Sequence, residues 1–254
     1  MNRAISWAIA IILGGFTLPL TGAAEEGDSA DGEICLDFWI ESDTRNGGRS
    51  FWEDPTDLKV LFLDGDPALR ARVIQHAETW KSVANVGFDF RGSEHPDIRV
   101  SFRQKGSWSC IGTEARRIVD PARPTMNLQL TLATPEDVFR RTVLHEFGHA
   151  LGLVHEHQIR PGNPIQWNEQ AVIRAHRGIW SEAEVRRQIL SRYETGTFFN
   201  RSPKLKVARF DAQSIMLYPI RKEWTRNGFS VAWNNDLSVG DKEFLAAVYG
   251  PPQS

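Results

Sequence analysis

The 254-residue chain is short of three residue types, with only two cysteines, three methionines and three tyrosines. With Cys35 and Cys110 alone, no more than one disulfide can form, which excludes a small fold stapled by many bridges. An excess of one charge is lacking too, since 30 Lys and Arg against 32 Asp and Glu leave a formal net charge of −2. No basic run or stripe is present, so no nucleic-acid partner is expected, and the balance calls for no charged macromolecule. Internal repeats and low-complexity tracts are missing, which removes solenoid architectures. Tryptophan is plentiful, at nine residues, and is expected mainly in the core with some left to line a cleft.

One long apolar stretch stands at the N-terminus. Arg3 precedes Ala4 to Leu20, a run interrupted by Gly14, Gly15 and Pro19 and followed by the small residues Thr21-Gly22-Ala23-Ala24. That order predicts a cleaved signal peptide over residues 1–24 and export, to the periplasm or outside the cell. An uncleaved membrane anchor is the competing reading, weakened by the helix breakers and the small residues at the cleavage site. No cysteine stands directly after that site, so no lipid anchor is expected, nor stable membrane association after cleavage. The remaining stretch of about 230 residues suffices for one large domain. Residues 25–48 are read as a partly disordered N-terminal segment and candidate prosegment, and residues 49–250 as the catalytic domain. In an oxidising compartment Cys35 and Cys110 are expected to pair, a bridge contributing roughly 4 kcal/mol in the chain-entropy view.

Local patterning places the elements coarsely. Leu58–Leu63, Phe88–Phe90, Ile98–Phe102 and Asn127–Leu130 have strand character. Asp66-Pro67 opens a helix whose buried face carries Leu69, Val73, Ala77, Trp80 and Ala84. A second helix is expected from Thr134 as N-cap, with Pro135 in its first position, to Gly152. Further helices are expected within Asn163–His176, after a Ser181/Glu184 capping box, and over Gly240–Tyr249.

The chemistry sits in His145-Glu146-Phe147-Gly148-His149-Ala150-Leu151-Gly152-Leu153-Val154-His155. Residues four apart share a helix face, so His145 and His149 can offer both imidazoles to one metal ion. Glu146 lies one position round, within reach of a water at that ion. Gly152 can turn the chain sharply and bring His155 back as third ligand. Three histidines leave a fourth coordination position open, which catalysis requires and a structural zinc site lacks. His76 and His95 read as packing and loop residues rather than ligands, and His157 as a surface or supporting residue.

This extended motif resembles that of the metzincin metallopeptidases, whose second signature is a methionine-containing turn. Ser214-Ile215-Met216-Leu217-Tyr218 matches it, with Met216 in the turn. Within that family the chain looks most like the astacin branch, and like bacterial secreted members related to it. Glu156 follows the third histidine, as in that branch, and Tyr218 stands two residues after the methionine, where astacins carry an additional zinc-binding tyrosine. The wider likeness, roughly residues 49–250, runs through Trp80, Ser107-Trp108-Ser109, Ile111-Gly112-Thr113 and the ending from Leu237-Ser238 to Tyr249. Leu217 replaces the histidine usual between methionine and tyrosine, two disulfides are impossible, and Glu26-Gly27-Asp28 matches a prosegment motif only weakly. Nor do the residues around Cys35 resemble the matrixin segment that holds zinc through cysteine in latent enzymes.

The resemblance implies an α+β fold: a twisted mixed sheet and a long zinc-binding helix in an N-terminal lobe, an irregular or helical C-terminal lobe, and a cleft between. It implies one zinc ion per chain on His145, His149 and His155, with Glu146 as general base and Tyr218 as a donor to the oxyanion. Glu156 would stand behind the ligands, where astacins receive the N-terminus of the activated chain. The expected substrate is an extended peptide or protein, paired as an added strand on Asn127–Leu130 and cut by a monomeric zinc metalloendopeptidase. Two other readings stay open: a non-proteolytic binding module on the same fold, and a zinc amidase acting on cell-wall peptides.

Overall fold

The computed structural model describes residues 36–37, 51–192 and 209–253. The signal segment, Cys35 and most of the candidate prosegment lie outside these. Among the described residues six strands form one sheet: β1 (Leu36–Asp37), β2 (Leu58–Phe62), β3 (Phe88–Asp89), β4 (Ile98–Ser101), β5 (Trp108–Ser109) and β6 (Met126–Asn127), in the order β1-β5-β6-β4-β2-β3. Pairing is parallel throughout except between β5 and β6, so the sheet is mixed, as expected. Parallel neighbours need a crossover. Between β2 and β3 it is α1 (Pro67–Ala77), started where Asp66 accepts a hydrogen bond from the amide of Ala68 and Pro67 supplies a preset φ. The apolar face read from spacing is the buried one: Leu69, Val73, Ala77, Trp80 and Ala84 all lie in the main core.

A second helix, α2 (Glu136–Ala150), covers the sheet beside α1. Its N-cap is Pro135 rather than Thr134, and it has no side-chain cap. The Thr134 hydroxyl instead accepts from the amide of Thr131, closing the preceding turn. The core between sheet and helices is built on Val60, Val100, Trp80, Phe139 and Phe147. Each such side chain contributes roughly 1.5–3 kcal/mol by leaving water.

After α2 the chain is mostly irregular. The expected helix within Asn163–His176 is confined to α3 (Glu169–Ala175), because Asn168 caps it by accepting from the amide of Ala171. The Ser181/Glu184 capping box is present and starts α4 (Glu182–Val185), which runs into a π-helical turn over Arg186–Leu190. A last helix, α5 (Val239–Tyr249), returns Leu245, Phe244 and Tyr249 to the main core. The expected edge strand is corrected: β6 lies inside the sheet between β5 and β4, and Leu128 donates onward to Ser101. On the β5 side of the sheet the outermost strand is β1, paired in parallel with β5.

Candidate metal centre

Every residue of α2 from Arg141 to Ala150 is buried, so its polar side chains need partners other than water. Three long-range contacts fix this helix. Trp80 Nε1 donates to the carbonyl of Leu144 (3.2 Å), Trp52 Nε1 to that of Ala150 (2.7 Å) and the Tyr249 hydroxyl to that of Leu151 (2.7 Å). Gly148 leaves room for close packing, for a Cβ there would meet Met216 Sδ at 2.6 Å and the Trp80 ring at 3.3 Å. The helix ends where expected. Gly152 takes φ +100°, its amide donates to His149 and that of Leu153 to Gly148, the paired bonds of a Schellman turn.

That turn brings back His155. The Nε2 atom of His155 lies 3.2 Å from that of His145 and 3.1 Å from that of His149. The three candidate ligand atoms lie within 4.8 Å of one another, and all three residues are buried. His145 Nδ1 is 2.8 Å from the carbonyl of Ile215, and His149 Nδ1 is 2.9 Å from that of Leu153. A carbonyl can only accept, so both rings carry their proton on Nδ1 and turn an Nε2 lone pair inward. Burial first, then His145 and His157, holds the His155 ring well below the usual histidine range and hence neutral. Neutral imidazole lone pairs converging this closely need a cation between them. A tetrahedral zinc site with bonds of 2.0–2.1 Å has edges of about 3.3–3.4 Å, close to the observed separations. The triad fits one zinc ion.

Glu146, also buried, lines an open pocket with His145, Tyr218, Thr142, Arg141 and Trp233. Sequence reasoning missed the last three as site residues. Arg141 and Thr142 stand on α2 just before the motif, while Trp233 carries no local signal. The Arg141 guanidinium stacks on the Trp233 ring at 4.7 Å. Tyr218 is half-buried over two of the three imidazoles, its ring centroid 4.3 Å from His155 and 5.7 Å from His145.

Met216 is buried in the turn beneath α2, against Gly148. Asp241 on α5 holds that turn, an anchor the sequence reading did not identify. Its carboxylate accepts from Ser214 Oγ (2.6 Å) and from the amides of Ile215 (2.8 Å) and Ser238 (2.9 Å). Its one local signal was the Ser238/Asp241 capping box. Glu156 ties the third-histidine segment to the same turn: its amide donates to Met216, and its Oε1 accepts from the amide of Asp211 (2.7 Å). Burial pushes the Glu156 carboxyl up to about 8, against the pull of that hydrogen bond. The proposed disulfide involves Cys35, outside the described residues. Cys110 is a buried free thiol, raised by burial to about 12.

No protein-family model matches the sequence, and no curated protein does. Solved structures do match. One structure of myroilysin superposes with a TM-score of 0.71 at 38% identity, covering 81% of this chain and 97% of that one. A second gives 0.62 at 36%, with 87% and 92% covered. High choriolytic enzyme 1, a hatching-enzyme zinc protease from the medaka fish Oryzias latipes, gives 0.53 at 16% over 86% of this chain and 100% of that one, a likeness of fold.

Proposed function

This chain belongs to the astacin-like metzincin metalloproteases, and on that premise we propose that it is an exported endopeptidase with Glu146 as its general base. One observation carries the reading: Glu146 faces the same pocket as a histidine triad whose Nε2 atoms converge for a single zinc ion. When bound, zinc would supply a Lewis acid that acidifies water and polarises a scissile carbonyl. Glu146 takes the proton of the attacking water as its oxygen bonds to the carbonyl carbon. It then passes that proton to the departing amine nitrogen as the C–N bond breaks. Tyr218, half-buried beside Glu146 in the pocket, donates its hydroxyl hydrogen to the oxyanion developing on the carbonyl oxygen. The pocket is open to solvent, which suits an extended segment of a peptide or protein chain. Export rests on the N-terminal sequence, with residues 1–24 removed and 49–250 acting as the catalytic domain. Among the described residues no helix is long and apolar enough to cross a membrane.

The test is digestion of a denatured protein and of a cell-wall preparation, side by side, with wild type and Glu146→Ala. Wild type should cut the protein internally. Glu146→Ala should retain zinc but lose about 10²–10⁴-fold in turnover. Near-full activity in the variant would remove Glu146 as base. Release of peptides from cell wall alone would transfer the reading to an amidase, and zinc binding without any hydrolysis to a binding module.

A further inference from the structure

His157 follows the third ligand by two residues and is expected from sequence to be a surface or supporting group. The structure gives it more to do. It is 1% exposed, in the short 3₁₀ helix Glu156–Gln158. Its ring lies 5.3 Å from that of Tyr218 with 30° between planes, and 5.3 Å from that of His155 with 23° between planes. Both are stacked contacts within the range where aromatic rings attract. On its other edge, Nε2 donates to the carbonyl of Gln188 (3.0 Å) in the π-helical turn, and Trp167 meets the ring edge-on at 6.2 Å. Asn163 Nδ2 donates to the His157 carbonyl (2.9 Å) and fixes the backbone beneath it. The imidazole is therefore a tethered flat face, held by the C-terminal part of the chain and applied to the tyrosine beside the triad.

We propose that His157 is a positioning residue for Tyr218, its ring face setting where the tyrosine hydroxyl points. This rests on the reading of Tyr218 as donor to the oxyanion. A half-buried tyrosine ring can swing about its first side-chain torsion unless packing selects one rotamer. His145 and His155 offer it surfaces that also have a metal to hold. His157 is not among the three converging ligands, and its stacked face is the one we assign to orientation. A misplacement of about 1 Å at a reacting group is enough to cost as much as 10²-fold in rate.

The test is a double-mutant cycle on the zinc-loaded, full-length enzyme, with zinc content measured for every variant. His157→Gln keeps a donor for Gln188 and removes the flat face, whereas His157→Phe keeps the face and removes the donor. If the face positions Tyr218, His157→Gln should lower kcat by about 10-fold with KM and zinc content unchanged, and His157→Phe should recover most of it. In a Tyr218→Phe background, His157→Gln should then cost less than about 2-fold, because no hydroxyl is left to aim. A merely structural role gives the reverse: His157→Phe is the worse variant, and the loss persists in Tyr218→Phe. Either result overturns the proposal while leaving Tyr218 catalytic. A fully active Tyr218→Phe enzyme would remove the tyrosine from the mechanism and this proposal with it. If neither His157 variant folds, the residue serves folding and the positioning role is refuted.

Discussion

At the residue scale, Gly148 shows how tightly the site is packed. It stands between the two helical ligands, and a methyl group there would overlap Met216 and press on Trp80. Gly148→Ala removes a helix-weakening residue, which alone would stabilise. The overlap should outweigh that gain, costing about 1–3 kcal/mol overall. Thermal unfolding should fall by roughly 2–4 °C per kcal/mol, and an unchanged or raised midpoint would show that Met216 gives way freely. The ligands and the base should separate cleanly: His149→Ala should lose zinc and activity together, since two imidazoles make an inadequate site. Metal analysis that found a full zinc complement in His149→Ala would exclude it as a ligand. Asp89 offers a pH test away from the site. Arg91, through side chain and backbone, and then Lys59 hold its carboxyl well below the usual carboxylate range. A depressed folded value means stability that is fully present above the unfolded value of 3.8 and drains away as pH falls below it. Asp89→Asn should therefore unfold earlier than wild type at neutral pH, with the gap closing below about pH 4. A gap constant down to pH 2 would mean that the charge is not what matters.

At the scale of elements, the C-terminal end of α2 decides where the third ligand arrives. A helix end leaves carbonyls without partners, and here distant side chains serve them: Trp52 for Ala150, Tyr249 for Leu151. The Tyr249 hydroxyl also accepts from the amide of Trp52 at 3.2 Å, so one group joins both ends of the domain to the zinc helix. Tyr249→Phe keeps the ring against Phe51 and strands this part-buried pair of polar groups. It should cost about 1–3 kcal/mol in urea unfolding, with zinc still bound. No shift in the unfolding midpoint would mean that water replaces the hydroxyl. Little of this was readable beforehand, because Tyr249 and Leu151 are 98 residues apart and nothing local marks the bond.

For the whole molecule, metal and fold should be linked. The three ligands come from one helix and the turn after it, and the Met216 turn beneath them is held by Asp241 from the last helix. Zinc binds the folded state with all three imidazoles in place, so its removal should lower the unfolding temperature as well as abolish proteolysis. Readdition should restore both at one zinc per chain. A chelated protein that still cut its substrate would contradict the zinc mechanism outright.

The local sequence determined the reactive core of this protein. A four-residue spacing on a helix, a glycine able to take positive φ and a histidine three residues later bring three imidazoles together from a stretch of chain too short to place them otherwise. Asp66, Ser181 and Glu184 were readable for the same reason, since caps act within one turn. Spacing could not say which strand is an edge, and Asn127–Leu130 was read as one when β6 lies inside the sheet. Nor could it reveal the Ile215 carbonyl that sets the His145 tautomer, the Asp241 carboxylate that holds Ile215, or the pairing of Arg141 with Trp233 in the pocket. Those contacts join residues 26 to 92 positions apart. Such contacts form only when the whole core closes, because the loss of chain freedom on bringing them together is offset by burial across the domain rather than by any local preference.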